Sequence, residues 1–252
     1  MTVDHPGQAL VPQLWQLWQM AFQDSVEYTG LFFSSAFSPD RCLCITEDGQ
    51  VTAALYWFDC FCNGQKLAYL YAVATHPDHR GKGLCRRLMA AVHACLAARG
   101  YSGSLLVPEG DSLRRMYRAM GYRDCTAISE FDCGAGDTPI SLRSIGCGEF
   151  ARLRRELLPP GSVLQEGENL RFLEKQAQFY AGPGFLLAAG LEADSLFGME
   201  LLGDPCAAPG ILKALNRVHG TFRTPGVERP FAMFLPLVPE AREPAYFGFA
   251  FD

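Results

Sequence analysis

The amino-acid sequence predicts a mixed α/β fold, a mostly antiparallel sheet flanked by helices, with a second and smaller half of the same kind. Three observations predict it. Apolar residues near the start recur at three- and four-residue steps, as on one face of a helix. Three apolar runs between 41 and 75 are then joined by Glu47-Asp48-Gly49 and Asn63-Gly64, both turn signals. Past residue 139, a helix, helix, strand, strand, helix, strand, strand order echoes the first half without any residue-level repeat.

The opening helix carries Leu10, Leu14, Leu17, Trp18, Ala21 and Phe22 on one face, with Gln13, Gln16, Gln19 and Gln23 between them. The chain begins almost at this helix, so no strand is expected ahead of it. A short apolar piece over 31–37 stops at Ser38-Pro39-Asp40. Strands are expected over 41–46 and 50–62, and Asn63-Gly64 returns the chain antiparallel over 65–75. The polar loop 76–83 leads into a helix over 84–98, whose apolar face holds Leu84, Leu88, Ala91, Val92, Cys95 and Leu96. Arg99-Gly100 ends it as a cation and a terminal glycine should. A short buried strand over 104–107, a helix over 111–120 and an extended return over 122–131 complete this half.

The polar, glycine-rich run 132–139 is the clearest break, so the expected domains are 1–135 and 136–252. In the second half a strand is expected over 140–144. A helix over 149–158 follows, closed by Pro159-Pro160-Gly161, and then one over 169–180. Strands over 185–189 and 195–202, a helix over 209–218, and two closing strands over 231–238 and 246–251 follow.

Composition narrows the function. The chain has 252 residues, 49% hydrophobic and 19% charged, which fits a globular protein with a sizeable core. Its formal charge is −5, the wrong sign for bulk nucleic-acid binding. No apolar run reaches membrane-span length, and the first 25 residues lack a basic start followed by an apolar block. Ten cysteines lie scattered in apolar stretches, as small free-thiol hydrophobes do. A soluble chain in the reducing cytoplasm is the expectation. The pairs Cys42/Cys44 and Cys60/Cys62 would each present both sulfurs on one strand face, and were the two strands neighbours, four thiols could converge on a zinc ion. That spacing is not a usual zinc pattern, and no metal is expected.

The segment from Leu70 to Tyr122 carries the chemistry. A glycine-bearing turn at a helix start leaves backbone N–H groups unpaired, with the positive end of the helix dipole behind them. Gly81 and Gly83 let an anion approach the backbone, while Arg80 and Lys82 add charge. A pyrophosphate suits such a turn; a basic loop before an ordinary capped surface helix would read the same way.

Ala72-Val73-Ala74-Thr75-His76-Pro77-Asp78-His79-Arg80-Gly81-Lys82-Gly83-Leu84-Cys85 resembles motif A of the Gcn5-related N-acetyltransferases (the GNAT superfamily), written Gln/Arg-x-x-Gly-x-Gly/Ala. Arg80 and Gly83 match its first and fourth positions, and Cys85 stands where Gly or Ala is usual. Tyr117-Arg118-Ala119-Met120-Gly121-Tyr122 resembles the later family segment in which a tyrosine precedes a Gly-aromatic pair. Gly110 stands where the family often has Asn, and Ala119 where it often has a basic residue. The likeness covers roughly 10–132, and the second half resembles a degenerate GNAT-like repeat that has lost the loop.

The resemblance implies the GNAT acyl-CoA N-acyltransferase fold. It also implies transfer of an acyl group, most simply acetyl from acetyl-CoA, to a primary amine by direct attack on the thioester. The loop residues Arg80, Gly81, Lys82, Gly83, Leu84 and Cys85 would hold the CoA pyrophosphate, and Val73 and Thr75 the pantetheine arm. Tyr117 aligns with the tyrosine that protonates the departing thiolate. Such an acid fits the chemistry, since a phenol donates at neutral pH. A small-molecule amine is the expected acceptor, with neither nucleic acid nor membrane as partner. The second half would wall the acceptor cleft or form a homodimer surface. Asp59, His76 and Glu109 are unassigned base candidates. The rival readings are a non-catalytic acyl-CoA-binding module, which would not need Tyr117, and an interaction protein without ligand.

Overall fold

The computed structural model describes residues 1–251. The chain parts into two compact units, Met1–Arg123 with Phe234–Arg242, and Asp124–Met233 with Glu243–Asp252.

Unit 1 opens with strand β1 (Thr2–Asp4), which pairs antiparallel with Cys44–Thr46 and was not expected. Three residues are too short to show a period, and only the tertiary partner makes them a strand. Helices α1 (Val11–Phe22) and α2 (Val26–Ser35) follow. α1 buries Leu14, Leu17 and Trp18 of the predicted stripe, and Phe22 stays exposed. Ser25 caps α2, its hydroxyl accepting from the Tyr28 N–H at 3.0 Å. The meander is as predicted: β2 (Cys42–Glu47), β3 (Gln50–Cys62) and β4 (Gln65–Thr75), antiparallel in sequence order. α3 (Leu84–Ala98) then lays Leu84, Leu88, Val92 and Leu96 on the sheet, each worth about 2 kcal/mol in buried apolar surface. It delivers the chain to β5 (Gly103–Leu106), which runs parallel to β4. α4 (Gly110–Arg118) and the two-residue β6 (Arg123–Asp124) end the contiguous part.

The register separates the cysteine pairs. Cys42 and Cys44 face Tyr56 and Ala54, while Cys60 and Cys62 pair onward with Leu67 and Gln65.

Unit 2 comprises β7 (Ala127–Gly134), β8 (Arg143–Ile145), α5 (Cys147–Leu157), β9 (Leu164–Gln165), α6 (Glu168–Leu173), β10 (Gln178–Gly182), β11 (Phe185–Leu191), β12 (Ser195–Gly203), α7 (Ala208–Ala214), β13 (His219–Pro225) and β14 (Arg229–Pro230). Its sheet order is β14-β7-β13-β12-β11-β10-β8, antiparallel except for the pair β12–β13. The path β8, α5, α6, β10, β11, β12, α7, β13 repeats unit 1's path β1, α1, α2, β2, β3, β4, α3, β5, down to one parallel pair at the same place. Its core packs Phe185, Leu187, Leu201, Ile211 and Phe222.

Five expectations change. The boundary lies at 123/124 rather than 135/136, because β7 pairs with β13 across seven residues. Residues 178–182 form a strand rather than the end of a helix, since Phe179 pairs with both Ile145 and Ala188. The helix expected over 209–218 stops at Ala214, and β13 follows. The last strand, β15 (Met233–Pro236), lies beside β5, so Phe234–Arg242 belongs to unit 1; Gly103 leaves the room that the Phe234 ring occupies. Residues 246–251 form no strand ladder: Tyr246 makes one bridge with Ser162, and the Gln165 amide bonds the Phe249 backbone both ways, at 2.7 and 3.0 Å.

Candidate functional site

β4 is paired with β3 along its length but with β5 only from Leu67 to Tyr69, opposite Gly103 to Leu105. Beyond Tyr69 the parallel strands part, and the β5-side edge of β4 is open. On the β3 side, Ala54 faces Ala74 while Tyr56 faces Tyr71, so Ala72 and Val73 together oppose Leu55. Ala72 takes φ 48°, a left-handed conformation that costs a residue with a Cβ about 1 kcal/mol. A bulge at the mouth of an opened strand pair re-aims the backbone there. Val73 and Thr75 lie half-buried on this edge.

Past Thr75 the chain turns through a single 3-10 turn, Pro77–His79, whose first free N–H, at Asp78, donates to His76 Nδ1 at 3.3 Å. Arg80 Nε donates back to the Thr75 carbonyl at 3.3 Å. Gly81 and Gly83 then take φ 75° and 76°, and no atom lies within 4 Å of where a Cβ would stand on either. Gly83 caps α3, and its carbonyl accepts from the Arg87 N–H at 3.1 Å. The N–H groups of Leu84, Cys85 and Arg86 find no acceptor among the described residues. The first turn of α3 carries no acidic side chain, and Arg80, Lys82, Arg86 and Arg87 are exposed around it. Free amides, a helix dipole and cations without a carboxylate make an anion cradle. The vacant Cβ positions leave room for phosphate oxygens at the backbone.

Tyr117 is the one buried side chain of α4. Its ring meets Tyr122 edge-on at 5.8 Å, and its hydroxyl makes no hydrogen bond among the described residues. Burial first, and the nearby Cys85 second, hold its phenol well above the ordinary value, so it stays a neutral donor. Cys85, at the start of α3, is thus near Tyr117, at the end of α4. Behind Tyr117, the Tyr122 hydroxyl shares hydrogen bonds with Ser104 Oγ (2.7 Å) and His93 Nε2 (2.9 Å). Burial lowers His93 to about 4, so its imidazole is neutral.

Two of the three base candidates are otherwise engaged. Asp59 accepts from the Tyr101 hydroxyl and lies 3.4 Å from Lys66 Nζ. His76 caps the turn before α3, and Glu109 is exposed before α4 without capping it. Sequence reasoning missed the Ser104–Tyr122–His93 network, and it missed the hydrogen bond between Tyr28 and Tyr71 (2.6 Å). Residues 43 apart show no common period, and only the fold joins them.

In unit 2 the corresponding strands also part: β12 pairs with β13 only from Ser195 to Gly198. There the chemistry differs. Asp204 Oδ1 accepts from the Cys206 N–H at 2.9 Å in the 3-10 turn ahead of α7, as His76 accepts from Asp78 in unit 1, but that turn runs directly into α7 at Ala208. Glu200 on the parted stretch is buried against Arg154, with bonds of 2.7 and 2.9 Å, and accepts from the Tyr246 hydroxyl at 3.1 Å.

Residues 3–125 match the family model described as acetyltransferase (GNAT) domain. No curated protein matches the chain. Among solved structures, a GCN5-related N-acetyltransferase from Anabaena variabilis shares 14% identity at TM-score 0.76, over 94% of this chain and 73% of that one. One from Kribbella flavida shares 15% at 0.69, over 92% and 70%. One from Sphaerobacter thermophilus shares 12% at 0.58, over 97% and 96%. At such identities the likeness is one of fold, and it extends over both units.

Proposed function

Taking residues 3–125 as a GNAT acetyltransferase domain, we propose that unit 1 transfers an acetyl group from acetyl-CoA to a primary amine of a small molecule. The observation that carries this reading is the conjunction, within one unit, of an opened β4 edge, an anion cradle at α3 whose first turn carries no acidic side chain, and a buried phenol whose hydroxyl makes no hydrogen bond among the described residues. In it, the amides of Leu84, Cys85 and Arg86 hold the pyrophosphate, supported by Arg80, Gly81, Lys82 and Gly83. The edge at Val73 and Thr75 pairs with the pantetheine amides. The acceptor ammonium first loses a proton to solvent; the neutral nitrogen attacks the thioester carbonyl, the carbon–sulfur bond breaks, Tyr117 gives its proton to the departing sulfur, and the proton shed by the acylated nitrogen returns through solvent to the Tyr117 phenolate. An acid is needed there because the thiolate leaves more easily when met by a donor. No residue is assigned as base.

Unit 2 is a degenerate GNAT-like half on this reading, its 3-10 turn leading straight into α7 where unit 1 has the glycine-bearing loop 80–83. All ten cysteines are free thiols, which supports a reducing, cytoplasmic setting; no helix among the described residues is long and apolar enough to cross a membrane.

Calorimetric titration with acetyl-CoA tests the proposal, beside Gly83→Glu as control. Micromolar binding by the wild type, abolished by a carboxylate in the cradle, is the expected result. A folded wild-type protein that fails to bind at about 1 mM, or a variant that binds as well, refutes it.

A further inference from the structure

α1 ends at Phe22, and Gln23 turns the chain left-handed at φ 58°. That turn brings Asp24 back onto α1, where Trp18 Nε1 donates to Asp24 Oδ2 at 2.8 Å. Asp24 is half-buried, and among the described residues no Lys, Arg or His stands within ion-pair distance of it. Its other oxygen accepts no hydrogen bond there. Aromatic rings gather beside it. Trp18 lies 5.6 Å from the Tyr71 ring and 5.6 Å from Phe22. Tyr71 projects from the opened stretch of β4 next to the bulge at Ala72, and its hydroxyl meets that of Tyr28 at 2.6 Å. Burial raises the Tyr71 phenol, with Tyr28 and then Tyr69 and Asp24 adding to the effect, so Asp24 is near enough for its charge to be felt on that edge. Apolar side chains flank Asp24 in sequence and are open to solvent: Phe22 is 39% and Val26 61% exposed.

A half-buried carboxylate gains most from a cation, and this one has a single indole N–H as partner. The exposed Phe22 ring, 5.6 Å from Trp18, favours an ammonium further. We propose that Asp24 is a specificity-determining residue of unit 1: it receives the protonated amine of the acceptor, whose apolar body lies along Phe22 and Val26. Resting on the acetyltransferase reading, this narrows the acceptor to amphipathic alkylamines that carry charge at neutral pH. Arylamines of the same size, uncharged there, gain nothing from the carboxylate.

Two isomers of one formula, benzylamine and 4-methylaniline, separate these classes. Each is titrated calorimetrically, near neutral pH, into the full-length protein with and without saturating CoA. The comparison variant is Asp24→Asn, whose amide oxygen still accepts from Trp18 and so preserves the local fold. The wild type is expected to bind benzylamine at least about tenfold tighter than 4-methylaniline, and the variant to lose that preference. Equal binding of the isomers overturns the proposal. So does a preference that survives in Asp24→Asn, or no binding of benzylamine at about 10 mM. Failure of the acetyltransferase reading shows separately, as absence of CoA binding in the same titrations.

Discussion

Removing one oxygen atom tests the role given to Tyr117. In Tyr117→Phe the ring stays buried and keeps its edge-on contact with Tyr122 at 5.8 Å. The lost hydroxyl has no hydrogen-bond partner among the described residues, so the stability change is expected to be under about 1 kcal/mol, read as a shift of a few degrees in Tm. The chemical loss is larger. General-acid assistance is worth about 10²–10⁴-fold, and a thiolate, whose conjugate acid has a pKa of about 8.5, is a fair leaving group, which favours the lower end. A fall in kcat of about a hundredfold follows, close to 3 kcal/mol of barrier. The cradle is untouched, so KM for acetyl-CoA should stay within about twofold. The assay is release of free CoA thiol, followed with a disulfide reagent, with the amine varied. Because burial raises this phenol above its ordinary value, the wild-type rate should show no loss from its ionisation below about pH 10. A variant whose kcat stays within about threefold of wild type would refute the assignment, leaving Tyr117 a packing residue and the thiolate to depart unaided.

Other outcomes follow from named contacts. Gly83→Ala meets no atom but must hold φ 76°, so it should cost about 1 kcal/mol in stability while weakening acetyl-CoA by at least about tenfold in the same calorimetric titration. His93 is held at about 4 against an ordinary 6.5, so the unfolded chain binds its proton first as pH falls. Its share of stability is intact above pH 6.5 and is lost progressively toward pH 4, to a total of about 3 kcal/mol; urea unfolding of His93→Gln should show a flatter acid limb. Gly248→Ala would press a methyl group into the Glu200 carboxylate, which Arg154 holds by two bonds and cannot release. It should destabilise by about 2 kcal/mol or more, seen as a lower denaturation midpoint. Glu200→Gln should cost about 3–5 kcal/mol by leaving the Arg154 charge buried without its counter-ion.

Local rules made much of unit 1 legible. The meander was readable because Asn63-Gly64 admits few connections other than a tight hairpin, and α3 because Leu84, Leu88, Leu96 and Val92 keep one face. The misread segments lie where two patterns competed. Phe172, Leu173, Phe179 and Tyr180 are spaced as a helical face would be, yet Phe179 gains neighbours on both sides in a sheet, and the sheet wins. At 209–218 the helix ends early because Asn216 turns left-handed at φ 54°, and β13 takes the parallel place beside β12. Asp24 gave no signal at all, since its partners lie on another helix turn and another strand.

By itself the sequence determined the order of elements from α1 to α4, the glycine turn ahead of α3 and the tyrosine that follows, because these depend on neighbours a few residues apart. The tertiary structure alone decided that β4 leaves β5 after Tyr69, that the Tyr117 hydroxyl is buried without a partner among the described residues, and that Phe234–Arg242 returns to complete unit 1. Strand pairing and burial join residues far apart in the chain, and no local pattern records which distant partner is taken.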